Sequence, residues 1–115
     1  MNYLNSNCPI EISCREVKDL IDANDDFLLL DCRTEDEYAT THIETAELIP
    51  MDQIPGRLSE IFPDQNRRVV VHCHLGGRSL QVTQWMRERG FSRVQNMTGG
   101  IDAWAIEVDS TIQRY

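Results

Sequence analysis

The chain has 115 residues, of which 41% are apolar and 26% charged, enough to bury one core and too few for two domains. Nineteen acidic against eleven basic residues give a net charge of −8. That balance argues against nucleic acid or an anionic membrane surface as partner, because both call for a basic face. No apolar run approaches the roughly 18 residues of a bilayer span. The opening MNYLNSNCPIEIS lacks the basic start and apolar stretch of a secretion signal, so the expected address is cytoplasmic.

Residues 1–9 read as a lead-in. Ser13 with Glu16 three residues on is a capping box, opening a helix to about Ala23 with Val17, Leu20 and Ile21 on one face. Phe27 to Cys32 is a short continuous apolar run, the pattern of a strand buried on both faces. Thr34 with Glu37 forms a second capping box for a short helix to about Thr40. Ile43 to Ile49 reads as a weaker strand ended by Pro50, and Pro55 sits near the start of a third short helix to about Phe62. Val69 to His72 is β-branched and buried in style. A helix follows over roughly Arg78 to Arg89, with Val82, Trp85 and Met86 on one stripe and Gly90 to end it. Val94 to Met97 is a last strand, and Gly99-Gly100 precedes a short helix holding Ile101 and Trp104. Residues 105–115 form a tail, irregular from Val108.

Helices and continuous apolar strands in alternation predict one α/β domain over 1–115, with a mainly parallel central sheet flanked by helices on both faces. Ligands of such sheets sit at the carboxyl ends of the strands, which is where Cys73 falls on the expected central strand. The other thiols are Cys8, Cys14 and Cys32. No C-x-x-C pair occurs, so all four read as reduced, and a structural zinc site is not expected. Cys32 reads as packed after a buried strand. Cys8 and Cys14 read as non-catalytic, although Cys8 in the lead-in is a conceivable resolving thiol.

The segment Val69-Val-Val-His-Cys73-His-Leu-Gly-Gly-Arg78-Ser79 carries the chemistry. A free thiol with a pKa of about 8.5 is only a few per cent thiolate at neutral pH. Moving it to about 6 takes roughly 3.4 kcal/mol, at about 1.36 kcal/mol per unit. A helix dipole supplies about 0.3–1 kcal/mol, at most about 2. Converging loop amides and a nearby guanidinium must supply the rest. Gly76 and Gly77 permit the positive φ such a cradle needs, and Arg78 can tie the loop or face an anion. The same cradle suits a persulfide anion. His72 reads as a buried strand residue and His74 as a loop residue lending partial positive charge, rather than as metal ligands.

These residues resemble a single-domain rhodanese, over about Ile12 to Trp104. Leu29-Leu-Asp31-Cys-Arg33-Thr-Glu-Asp-Glu37-Tyr38 is similar to the family's first signature, and Thr41-His42-Ile43-Glu-Thr-Ala46 to the stretch that follows it. Cys73 to Ser79 resembles the active-site loop, and Thr98-Gly99-Gly100-Ile101-Asp-Ala-Trp104 the closing Gly-Gly signature. The resemblance implies a rhodanese fold and a sulfurtransferase in which Cys73 carries sulfane sulfur as a persulfide. The loop His74, Leu75, Gly76, Gly77 and Arg78 would bind the donor, with the amides of 74–78 on the sulfur. Asp31, Arg33 and His42 would support that loop through hydrogen bonds and ion pairs. No metal and no cofactor is implied. Members that prefer thiosulfate tend to carry basic or polar residues where this chain has His74 and Leu75. The resemblance implies thiosulfate or a protein persulfide as the donor. The tail is similar to rhodanese domains fused to adenylating enzymes, which implies a small sulfur-carrier protein or an adenylating enzyme as partner. The rival functions are a non-catalytic or persulfide-sensing binding module and a cysteine phosphatase. The phosphatase loop has five residues between Cys and Arg; here there are four.

Overall fold

The structure, a computed structural model, describes residues 8–115. Five strands, β1 (Glu11–Ile12), β2 (Leu28–Asp31), β3 (Glu47–Leu48), β4 (Val69–His72) and β5 (Val94–Met97), form one sheet in the order β1-β5-β4-β2-β3, with every pair parallel. The helices are α1 (Cys14–Asp22), α2 (Glu35–Thr40), α3 (Leu58–Ile61), α4 (Gly77–Glu88) and α5 (Gly100–Glu107), with a 3-10 helix over Met51–Arg57. No helix among the described residues is long and apolar enough to cross a membrane.

Strand alternation divides the core. Leu28, Leu30, Cys32, Val69, Val71 and Cys73 face one layer with Val82 and Met86 of α4, Ile54 and Ile61. Leu29, Val70 and Met97 face the other, with Val17 of α1 and Ile101 and Trp104 of α5. β4 is central, and its three valines are wholly buried. Each contributes roughly 1.5–3 kcal/mol relative to an exposed side chain. Both expected capping boxes form. Ser13 accepts from the Glu16 amide at 3.1 Å and donates its own amide to Glu16 Oε1 at 3.2 Å. Thr34 and Glu37 repeat the pattern at 3.2 Å each way.

Three segments differ from the sequence reading. β1 is an added edge strand, Glu11 and Ile12 lying beside Asn96 and Met97; two residues are too short to show a period. The expected strand Ile43 to Ile49 shrinks to Glu47–Leu48, because Ile43 and Ala46 close a turn (Ala46 N to Ile43 O, 3.0 Å) and bury inward instead. Pro55 lies inside the 3-10 helix rather than at a helix start. It has no amide to donate, and the segment continues as a single α-turn, α3.

Candidate active site

Cys73 is the first residue beyond β4 and is 1% exposed. Gly76, with φ of 107°, caps α4 but has no side chain to satisfy the helix's first amides. The Cys73 sulfur takes that place. It accepts from the Gly76 amide at 3.1 Å, the Ser79 amide at 3.4 Å and the Ser79 hydroxyl at 3.3 Å. The helix therefore begins on the sulfur, with an otherwise orphaned amide of its first turn aimed at it. Burial opposes the Cys73 thiolate; the Ser79 hydroxyl, the two amides and the Arg78 charge outweigh it and lower the thiol below its ordinary value. Burial has the opposite net result at Cys14 and Cys32, both pushed up to about 12.

The backbone of Cys73 and His74 is held from below by α5. Its amides at Ile101 and Asp102 donate to the Cys73 and His74 carbonyls at 2.9 and 3.1 Å. That approach requires Gly100, whose φ is +63° and where an added Cβ would stand 2.7 Å from the Cys73 oxygen. Gly77 corrects the sequence reading. It carries no positive φ, and an added Cβ would meet nothing within 4 Å, so of the two loop glycines only Gly76 is conformationally required.

Arg78 grips Glu37 with two nitrogens at 2.7 and 2.9 Å, tying the start of α4 to α2. The hydrogen bonds from Arg78 hold the Glu37 carboxyl well below the usual range. Glu37 thus serves as both helix cap and loop anchor. Beneath it, Asp31 and Arg33 form a wholly buried pair at 2.7 Å. Arg33 also donates to the Thr41 carbonyl at 2.8 Å and the Tyr115 hydroxyl at 2.9 Å, so each end of the guanidinium is partnered. Tyr115 donates in turn to Glu37 at 2.7 Å and stacks on the His74 ring, 4.0 Å between centroids. Leu75, at the loop's crest, is 63% exposed.

His42 is not brought to this cluster. It is exposed, stacks on Tyr38 at 4.0 Å and pairs its Nδ1 with the Tyr38 carbonyl at 3.0 Å. His72 is buried beneath the loop, where burial lowers it below its ordinary value and keeps it neutral at neutral pH. Its Nδ1 lies 3.3 Å from the Cys73 carbonyl. Among the described residues no group of three or more His, Cys, Asp or Glu is placed to hold a metal ion.

Sequence reasoning stopped at Arg78 and missed Ser79, the third helical residue, where a first-turn amide and a hydroxyl reach the sulfur together. It also missed Asn96 on β5. The Asn96 Nδ2 donates to the Glu11 carboxylate at 3.0 Å, which turns Oδ1 toward the Ser79 hydroxyl 2.5 Å away. The helix start after Gly76 was the available signal for Ser79. Asn96 had none. Beside the loop lies an open cavity of about 470 Å³, lined by Cys32, Thr34, Pro50, Met51, Asp52 and Arg78 among others.

The profile of the rhodanese-like domain matches residues 13–107. The chain belongs to the rhodanese-like domain family. A protein named sulfurtransferase from Allochromatium vinosum is 41% identical over 95 residues, 83% of this chain and 87% of that one. An adenylyltransferase and sulfurtransferase from Zea mays, MOCS3-2, is 30% identical over 109 residues; the match covers 90% of this chain and only 23% of the maize protein. Among solved structures, a rhodanese-like domain protein from Staphylococcus aureus superposes with a TM-score of 0.77 at 29% identity, covering 93% of this chain and 99% of that one. The parallel sheet with Cys73 at its carboxyl edge is the rhodanese fold.

Proposed function

We propose that this rhodanese-like domain is a cytoplasmic sulfurtransferase that carries sulfane sulfur as a Cys73 persulfide. The observation that carries the reading is the convergence of two amides and a hydroxyl on a buried, Arg-flanked cysteine sulfur. The Cys73 thiolate attacks the outer sulfur of a donor. The Cys73–sulfur bond forms, the donor's S–S bond breaks, and its thiolate, or sulfite if the donor is thiosulfate, departs with the electron pair. A nucleophilic acceptor then takes the outer sulfur and restores the thiolate. The cradle favours both anions because its donors are fixed before the reaction.

A protein persulfide is the donor we favour over free thiosulfate. Arg78 is already occupied by Glu37, the loop's crest is an exposed leucine, and a net charge of −8 slows the approach of a dianion. An apolar crest suits a protein surface, such as a small sulfur-carrier protein, and the maize relative, an adenylyltransferase and sulfurtransferase by name, supports an adenylating enzyme as partner. Intact mass and peptide mapping after incubation with thiosulfate, or with a cysteine-desulfurase persulfide, test this. The expected result is one added sulfur on Cys73, loaded faster by the protein donor, released by cyanide, and absent in Cys73→Ser. No added sulfur from either donor, with Cys73 still open to alkylation, would overturn the proposal in favour of a sensing or binding module.

A further inference from the structure

Cys32 has no part in the transfer just described, yet the sheet places it beside Cys73. β2 and β4 pair in parallel with Leu28 beside Val69, Leu30 beside Val71 and Asp31 beside His72. The ladder runs one step further: the Cys32 amide donates to the His72 carbonyl at 3.1 Å, the bond that aligns Cys32 with Cys73 in a parallel pair. Side chains at one register share a face. Cys32 and Cys73 accordingly lie in the same core layer, continuing the series of Leu28 with Val69 and Leu30 with Val71. Neighbouring strands stand about 4.7–4.9 Å apart, inside the roughly 4.4–6.8 Å between Cα atoms that a disulfide spans.

The other two thiols are excluded by position. Cys14 faces the opposite layer, where its sulfur lies 3.7 Å from the Thr98 carbonyl. The Cys8 carbonyl is bound by Arg87 at 2.6 Å, in the last turn of α4, the end away from Cys73.

We propose that Cys32 is a resolving thiol for Cys73, discharging an untransferred persulfide as hydrosulfide. The inference rests on the persulfide reading. The Cys32 sulfur attacks the Cys73 sulfur, a Cys32–Cys73 disulfide forms, the bond from Cys73 to the outer sulfur breaks, and that sulfur leaves with the Cys32 proton: Cys73–S–S⁻ plus HS–Cys32 gives the disulfide plus HS⁻. The persulfide is already at the oxidation level of a disulfide, so no external oxidant enters. Discharge is slow by construction. Burial, the facing Cys73 and the charge of the preceding Asp31 keep the Cys32 thiol up at about 12, with Arg78 opposing. A thiol so rarely ionised is a poor nucleophile near neutral pH. Transfer to an acceptor therefore comes first, and Cys32 acts when no acceptor arrives. Thiols elsewhere can then reduce the disulfide and reset the site.

The test loads wild type, Cys32→Ser and Cys32→Ala with persulfide, removes the donor, and follows intact mass, released sulfide and the Cys32–Cys73 peptide without reductant. In wild type the added sulfur is expected to disappear as one equivalent of sulfide appears together with a species two hydrogens lighter than the dithiol. Both variants should hold the added sulfur at least tenfold longer. Equal lifetimes in all three proteins, with no cross-linked peptide, would overturn the proposal and leave the transfer reading standing. A second arm treats the unloaded protein with hydrogen peroxide, where a Cys73 sulfenate condenses with Cys32 and releases water. If loading fails but this disulfide forms, the transfer reading falls and the cysteine pair survives. If peroxide yields no cross-linked peptide either, the pair is refuted independently of sulfur transfer.

Discussion

The Ser79 hydroxyl has one proton and two acceptors, 3.3 Å from the Cys73 sulfur and 2.5 Å from Asn96 Oδ1. With Cys73 as a thiol, that proton goes to Asn96. When Cys73 ionises, the hydroxyl turns to the sulfur and strands the buried Asn96 oxygen. A hydrogen bond to a charged group contributes about 1.5–3 kcal/mol and a neutral one about 0.5–1.5. The difference, about 1–1.5 kcal/mol, is roughly one pKa unit at about 1.36 kcal/mol each. Ser79→Ala should therefore raise the Cys73 pKa by about one unit, and Asn96→Leu, which removes the competing acceptor, should lower it. The assay is the pH dependence of alkylation by iodoacetamide, with Cys73 followed by peptide mapping. Below the thiol's pKa, Ser79→Ala should react about three- to fourfold more slowly at fixed pH, because the roughly tenfold loss of thiolate is partly offset by the greater nucleophilicity of a more basic sulfur. A Ser79→Ala profile superimposed on wild type, or an upward shift in Asn96→Leu, would refute the competition between the two acceptors.

Glycine substitutions should separate sharply. Gly100→Ala forces a Cβ against the Cys73 carbonyl at positive φ and should cost about 2 kcal/mol or more, whereas Gly77→Ala should be neutral or stabilise by up to about 1 kcal/mol; urea unfolding measures both. Glu37→Gln should lower stability by about 1.5–3 kcal/mol at pH 7, since it breaks charge-assisted bonds to Arg78. The Glu37 carboxyl is depressed in the fold, so its contribution is fully present above the unfolded carboxylate value of about 4.3 and lost as pH falls toward the folded one. Thermal melts from pH 7 to 5 should keep the gap between wild type and Glu37→Gln constant, and the gap should narrow below about pH 4. Tyr115→Phe keeps the His74 stack but loses the hydroxyl between Arg33 and Glu37; a loss of about 1 kcal/mol in urea unfolding is expected, with a larger loss in Tyr115→Ala.

Local order was legible in the sequence wherever it rests on local chemistry. Ser13 with Glu16 and Thr34 with Glu37 make caps within four residues of chain, so their spacing alone announces them. The continuous apolar runs of β2 and β4 reflect burial on both faces, and the alternation of helix and strand led to a parallel sheet with Cys73 at the edge of its central strand. The Cys73 loop and its helix start were visible as well, but of the expected amides of 74–78 only that of Gly76 bonds the sulfur, and the second comes from Ser79, one residue beyond the stretch the sequence reading covered.

Tertiary structure decided what depends on pairing across distance. β1 exists because Glu11 and Ile12 find β5, not because two residues have a pattern. Glu37 reads in sequence as a cap, and only folding brings Arg78, 41 positions away, onto the same carboxylate. Gly100 looks like a turn residue until the Cys73 carbonyl is laid against it. Ser79 meets Asn96 through the packing of α4 on β5. Cys32 reads as filler after a strand until register sets it beside Cys73. Side-chain periodicity declares which face a residue takes; which residue stands opposite is set by strand order and register, and no single stretch of chain contains that information.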